Sequence, residues 1–234
     1  MTIGEFVAAI RGGLIVSCQA GPDHPLRDSP TIARMARAAV LGGATAVRCG
    51  GVGGVPDVRA VAAAVTVPVI GLTKRGASGV FITPTVGDAL EVLEAGAAVV
   101  ATDGTMRRRP DSAPFHRTVE AVHAAGGLVM ADVSTLVEGV AAAEAGADLI
   151  ATTLSGYTPY SAQADGPDLS LVAALAAALP SAVIVAEGRY HLPGHVRAAL
   201  EAGAAAVVVG TAITDPAWIT GTFAAQTARP RALG

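Results

Sequence analysis

A chain of 234 residues, 52% of them hydrophobic and 15% charged, can bury a large core within one domain. A formal net charge of -3 and an aromatic share of 3% exclude the basic footprint and stacking platforms of a nucleic-acid-binding surface. The two cysteines, Cys18 and Cys49, fit a reduced compartment better than a disulfide-stapled secreted fold and read as small buried hydrophobes.

The amino-terminal MTIGEFVAAIRGG sets Glu5 and Arg11 around a short apolar run, unlike the long uninterrupted core of a secretory signal. Later apolar runs are broken by Gly, Glu, Arg or Asp before the ~20 residues of a membrane span. A cytoplasmic protein with no membrane partner is expected. The first strand is predicted at Leu14 to Cys18, followed by a helix at Thr31 to Leu41 and a strand within LGGATAVRCG from Leu41. A helix at Pro56 to Val65, a strand at Val67 to Leu72 and a helix at Val86 to Ala95 come next. EAGAAVVA from Glu94 holds the fourth strand, before a helix at Pro114 to Ala125, a strand at Leu128 to Ala131 and a helix at Thr135 to Ala145. EAGADLIA from Glu144 holds the sixth strand, before a helix at Leu169 to Leu179, a strand at Val183 to Ala186 and a helix at Pro193 to Ala202. EAGAAAVVVG from Glu201 holds the eighth strand, and the last helix is predicted near Pro216 to Ala225.

Four of these stretches echo one another. In each, an alanine-rich helical pattern meets glycine, which closes a helix in the left-handed region at low steric cost, and a short β-branched run follows. The strands are continuously apolar, as expected of a parallel sheet covered on both faces. Eight strand-helix units of this length predict an α/β fold, a single (β/α)8 TIM barrel spanning residues 1–234; a doubly wound open sheet is the alternative, because closure is not visible in a sequence.

In such barrels chemistry gathers at the carboxyl ends of the strands. Here those exits are Ser17 and Gln19, Arg48, Lys74, Asp103, Asp132, Thr152 and Thr153, Glu187, then Gly210 and Thr211. Lys74 ends the apolar VPVIGLTK, where a low-dielectric floor depresses an ammonium pKa and frees the amine to carry protons; the plain alternative is a solvated lysine. Arg75 is expected to be structural or exposed. Glu187 ends the equally apolar VIVAEG and needs a charged or hydrogen-bonding partner, for which Lys74 is the expected choice; otherwise the two form a structural ion pair. Asp132 and Asp103 read either as site residues or as caps of the helices that follow. The glycine-rich exits AEGR from Ala186 and VVGTAIT from Val208, with Gly188, Arg189, Gly210 and Thr211, suit a phosphate cradle; packing turns are the alternative. His191 and His195 lie in HLPGH, whose Pro and Gly oppose a helical metal pair, so no metal is expected. Neither a serine elbow nor a P-loop is present, which leaves proton transfer as the chemistry.

SCQ at Ser17, GLTKR at Gly71, FITPT at Phe81, MADVST at Met130, TTLSGYT at Thr152, AEGRY at Ala186 and VGTAIT at Val209 together resemble the N-acetylmannosamine-6-phosphate 2-epimerase family, from about Gly12 to Ile219. The resemblance implies a barrel enzyme of amino-sugar and sialic acid catabolism that interconverts N-acetylmannosamine 6-phosphate and N-acetylglucosamine 6-phosphate without a cofactor. It places the catalytic lysine on Lys74 and the catalytic glutamate on Glu187. Substrate contacts fall on Gln19, Arg48 and Asp132, and phosphate-binding backbone on Gly188 and Gly210; Thr153 and Tyr157 are candidate substrate contacts beside them, and Arg189 and Thr211 candidate phosphate contacts. An aspartate-threonine and arginine-proline-aspartate element falls on Asp103, Thr105, Arg109, Pro110 and Asp111. The chain departs from the family pattern at Asp215, where arginine is usual, at Gly50, where asparagine is usual, and at Gly76 and Ala77, where an aspartate-tyrosine pair is usual. A carboxylate at 215 would repel phosphate. A Schiff-base lyase using Lys74 and a non-catalytic sugar-phosphate-binding barrel are the rival functions, and a homodimer is expected from the family.

Overall fold

The computed structural model describes residues 1–76, 78–161 and 163–227. The expected 1–234 unit therefore extends beyond the described residues at its carboxyl end, and Ala77 also lies outside them. Eight parallel strands pair in chain order, and the last returns to the first, so the sheet is a closed barrel rather than the open doubly wound alternative. They are β1 (Gly13–Cys18), β2 (Ala46–Cys49), β3 (Val69–Gly71), β4 (Val99–Asp103), β5 (Leu128–Asp132), β6 (Leu149–Ala151), β7 (Val183–Ala186) and β8 (Ala206–Val209). The helices are α1 (Ile3–Ile10), α2 (Ser29–Leu41), α3 (Gly54–Ala62), α4 (Val86–Glu94), α5 (Phe115–Ala124), α6 (Leu136–Glu144), α7 (Leu169–Ala178), α8 (Pro193–Glu201), α9 (Thr211–Thr214) and α10 (Pro216–Ala224).

Every strand and all but two of these helices coincide with a predicted element to within a few residues. β3 is shorter than predicted because Pro68 has no N–H to give to a ladder. The sequence reading missed α1. Its signal was present in Thr2 and Glu5, which form a reciprocal capping box. Phe6 and Ile10 of α1 are fully buried and join the cluster that fills the barrel, closing its amino-terminal end. Also missed was α9, a single short turn between β8 and α10.

Side chains on a strand alternate between its two faces, and this alternation sorts the core. Ile15, Ala46, Ile70, Val99, Met130, Leu149, Val185 and Val208 point into the barrel and share one buried cluster. Their neighbours Val16, Val47, Val100 and Val129 pack outward with residues of the helical layer. Two residues further along each inward row come Ser17, Arg48, Leu72, Ala101, Asp132, Ala151, Glu187 and Gly210. Continuing the rows for β3, β4 and β6 brings in Lys74, Asp103 and Thr153. A strict two-residue period thus delivers the polar exits to one end of one cylinder.

Candidate active site

The polar exits surround a cavity of about 460 Å³ at the carboxyl end of the barrel. Gln19, Lys74, Thr153, Tyr157, Glu187, Gly188, Arg189, Gly210 and Thr211 line it, as do His24 and Asp215. Arg48 and Asp132 are not on its wall. They lie beneath it, with side chains 1% and 0% exposed.

Lys74 sits three residues beyond β3, where the chain turns back on itself. Lys74 forms an antiparallel bridge to Ile82, and Arg75 N–H donates to the Phe81 carbonyl at 2.9 Å. Lys74 N–H donates to Gly51 O at 2.8 Å, which ties this hairpin to the loop after β2. The lysine side chain is exposed to the open lumen, yet protein surrounds it on the other sides. Desolvation lowers its pKa and the Arg48 charge adds to the effect, against the opposing pull of Glu187 and Asp132. Arg75 points away and bonds Asp88 at 2.8 Å, as expected.

Glu187 is held by its backbone as well as its carboxyl group. Thr152 Oγ donates to the Glu187 carbonyl at 2.9 Å and accepts from its N–H at 3.0 Å. Contrary to expectation, the ion-pair partner of Glu187 is Arg48, with Nη1 3.0 Å from Oε2. Lys74 acts on it through the cavity as a nearby charge. The reason is positional: Arg48 and Glu187 lie in the floor, whereas the hairpin lifts Lys74 above it. Burial pushes the Glu187 carboxyl up to about 6, and the Asp132 charge reinforces this against the Arg48 and Lys74 charges.

Asp132 is not a helix cap; Thr135 performs that task for α6. Arg48 donates to both Asp132 oxygens, Nη1 to Oδ1 at 3.0 Å and Nη2 to Oδ2 at 2.7 Å, in the planar fork geometry that guanidinium favours. Burial works against the Arg48 charge, but Asp132 and Glu187 outweigh it and raise its pKa. Thr153 bridges the carboxylates, 2.6 Å from Asp132 Oδ1 and 3.1 Å from Glu187 Oε2.

Asp103 accepts from Thr105 Oγ at 2.6 Å and from Arg107 Nη2 at 2.6 Å. Arg107 is a partner the sequence reading missed. Arg109 donates to the carbonyls of Asp103 and Thr83, and Asp111 accepts from Val86 N–H at the start of α4 at 3.0 Å. This element braces β4 against the hairpin.

On the opposite wall, Arg189 donates from Nε and Nη1 to the carbonyls of Gly166 and Ser155 and stacks over the Tyr157 ring at 5.3 Å. It thereby clamps the loop between β6 and α7. Thr214 Oγ donates to Ser17 O at 2.9 Å, fixing the turn that carries Gly210 and Thr211. Asp215, the expected source of repulsion, lines the same wall, but its Oδ1 accepts from Trp218 N–H at 2.9 Å as the cap of α10 and pairs with His24 Nε2 at 3.3 Å. Gly50 has φ 109°, and a Cβ there would lie 1.9 Å from the Leu72 carbonyl. A side chain at 50 cannot be accommodated on this backbone.

Residues 32–229 match the family model described as putative N-acetylmannosamine-6-phosphate epimerase. A putative N-acetylmannosamine-6-phosphate 2-epimerase of Cutibacterium acnes is 49% identical, over 94% of this chain and 95% of that one. Its counterpart in Corynebacterium glutamicum strain R is 46% identical with the same coverage. The solved structure of the N-acetylmannosamine-6-phosphate 2-epimerase from Clostridium perfringens superposes with a TM-score of 0.90 at 40% identity, covering 94% of this chain and 96% of that one. A thiamine phosphate pyrophosphorylase from Pyrococcus furiosus, 19% identical with a TM-score of 0.62 over 92% of this chain and 93% of that one, shares the fold alone.

Proposed function

The chain belongs to the N-acetylmannosamine-6-phosphate epimerase family, a family of isomerases, and from that premise we propose that it inverts C2 of N-acetylmannosamine 6-phosphate to give N-acetylglucosamine 6-phosphate. The observation that carries the reading is one cavity holding two proton carriers of opposite tendency: an amine made less basic and a carboxyl made less acidic.

The C2 hydrogen of an N-acetylhexosamine becomes acidic when C1 is a carbonyl, so ring opening precedes or accompanies its removal. Neutral Lys74 takes the C2 proton. Glu187, as the acid, donates toward O1 and supports the enediol-like intermediate. A solvent-exchangeable proton then adds to the opposite face of C2, O1 gives its proton back to Glu187 and the Lys74 ammonium releases the one it took, which completes the inversion. Every proton removed is restored, so the reaction as written needs no oxidant or reductant. Gln19 and Tyr157 line the cavity in reach of a sugar, while Arg48, itself gripped by Asp132, holds Glu187 from below. Gly188, Arg189, Gly210 and Thr211 form the wall assigned to phosphate; Arg189 supplies a cation there whose Nε and Nη1 go to carbonyls rather than to a carboxylate. The reaction suits catabolism of amino sugars and sialic acid in the cytoplasm. A homodimer is proposed as well, because α10 buries none of its residues and leaves Phe223 74% exposed.

Proton NMR of the purified protein with N-acetylmannosamine 6-phosphate in heavy water tests the reaction. Deuterium should enter C2 as the second epimer appears, and the unphosphorylated sugar should react far more slowly. Lys74→Ala should lose exchange by ~10² to 10⁴-fold with the fold intact. A borohydride-trapped adduct on Lys74 with carbon-carbon cleavage would replace this reading with the lyase, and tight binding without exchange would replace it with a non-catalytic barrel.

A further inference from the structure

Thr153 Oγ stands between two carboxyl groups, 2.6 Å from Asp132 Oδ1 and 3.1 Å from Glu187 Oε2. A hydroxyl has one hydrogen and two lone pairs. It donates to one of these oxygens and must offer the other a lone pair. The shorter distance lies within the range of charge-assisted O–H···O⁻ bonds, and the longer one is a weaker contact at the edge of the hydroxyl range. Its hydrogen therefore points to Asp132, whose two oxygens are already gripped by Arg48. A lone pair facing an ionised Glu187 would be repelled; a protonated Glu187 converts the same contact into a hydrogen bond.

We propose that Thr153, with its hydrogen committed to Asp132, favours the neutral acid form of Glu187, which donates from Oε2 to the threonine hydroxyl. This deepens the reading of Glu187 as the acid of C2 inversion and rests on it. Thr153 is then a positioning residue that acts through Glu187 rather than a contact for the sugar. The charged groups facing Glu187 are Arg48 from β2, Asp132 from β5 and Lys74 from the hairpin after β3; Arg189, His24 and Asp215 stand elsewhere on the cavity wall. Arg48 Nη1 still reaches Oε2 at 3.0 Å, because the hydroxyl oxygen of an acid retains lone pairs. That contact favours ionisation, while burial, Asp132 and the threonine lone pair oppose it. The result is a carboxyl that keeps its proton to a higher pH than an ordinary glutamate does.

Two opposite signs follow from the two possible directions of the Thr153 hydroxyl. Were it the donor to Glu187, removing it would raise the carboxyl pKa; as the acceptor, its removal lowers it. The full-length protein labelled with ¹³C at the glutamate side-chain carboxyl reads this directly in a pH titration, with Glu187→Gln assigning the resonance. Thr153→Val should move the Glu187 midpoint down by about one unit, and Thr153→Ser should restore it. Thr153→Cys, whose thiol is a weak acceptor, should also move it down and serves if the valine variant fails to fold. An upward or unchanged midpoint in the valine or cysteine variant overturns the proposal. The titration needs no turnover, so it fails or succeeds separately from deuterium entry at C2.

Discussion

Arg48 grips Asp132 through both carboxylate oxygens beneath the cavity, at 3.0 and 2.7 Å, with neither side chain more than 1% exposed. Deleting one member leaves the other as an uncompensated buried charge. Arg48→Met should therefore destabilise the protein by about 3–5 kcal/mol in urea unfolding at neutral pH. The double variant Arg48→Met, Asp132→Leu should regain much of that loss while remaining inactive. Equal stability of wild type and the single variant would show that the pair is not a buried charge interaction.

Glu187 gives stability a definite pH dependence. Its folded pKa, near 6, lies above the ordinary glutamate value of 4.5. A raised carboxyl pKa means that the folded state binds the proton more tightly, so this contribution is complete below about 4.5 and is lost as pH rises through about 6. Glu187→Gln should remove it. Relative to the wild type, the variant should gain ~1–2 kcal/mol on going from pH 4.5 to pH 8, while catalysis falls sharply. Parallel urea titrations at the two pH values measure the difference; a variant whose stability tracks the wild type across that range contradicts the shift.

Gly50 and Gly126 form a matched test of backbone against space. Both have positive φ, 109° and 82°. An added Cβ meets the Leu72 carbonyl at 1.9 Å at position 50 and nothing within 4 Å at position 126. Gly126→Ala should cost about 1 kcal/mol from the left-handed conformation alone. Gly50→Ala carries the strain and the collision, and should lower the melting temperature by considerably more or prevent folding. Similar melting temperatures for the two would rule out the close approach.

Asp215 does two separable things: it caps α10 and places a carboxylate on the cavity wall. Asn caps nearly as well as Asp but carries no charge. Asp215→Asn should leave stability close to wild type and lower the KM for the phosphorylated sugar at similar kcat. Asp215→Ala should show the same KM effect and lose ~1 kcal/mol in thermal unfolding. If the Asn variant binds the phosphosugar no better, the carboxylate does not oppose phosphate.

How far the site could be foreseen varies from residue to residue. Glu187, Thr153 and Asp132 were accessible because each continues the inward row of its own strand, and a two-residue period can be counted without coordinates. The hairpin that carries Lys74 was not, since its antiparallel bridge to Ile82 joins a polar stretch with weak strand character. The role of Arg107 beside Asp103 depended on the path of a loop that has no period at all. Asp215 could be seen as a departure in chemistry, but its duty as a cap required knowing that α10 begins immediately after it.

By itself, the sequence determined the eightfold alternation of strand and helix and the end of the barrel at which polar side chains collect, because both follow from periodicities a few residues long. Tertiary structure alone decided that Arg48, and not Lys74, pairs with Glu187 and grips an aspartate 84 residues away. Those distances depend on how the strands stagger when the sheet closes, a property of the whole cylinder that no local pattern encodes.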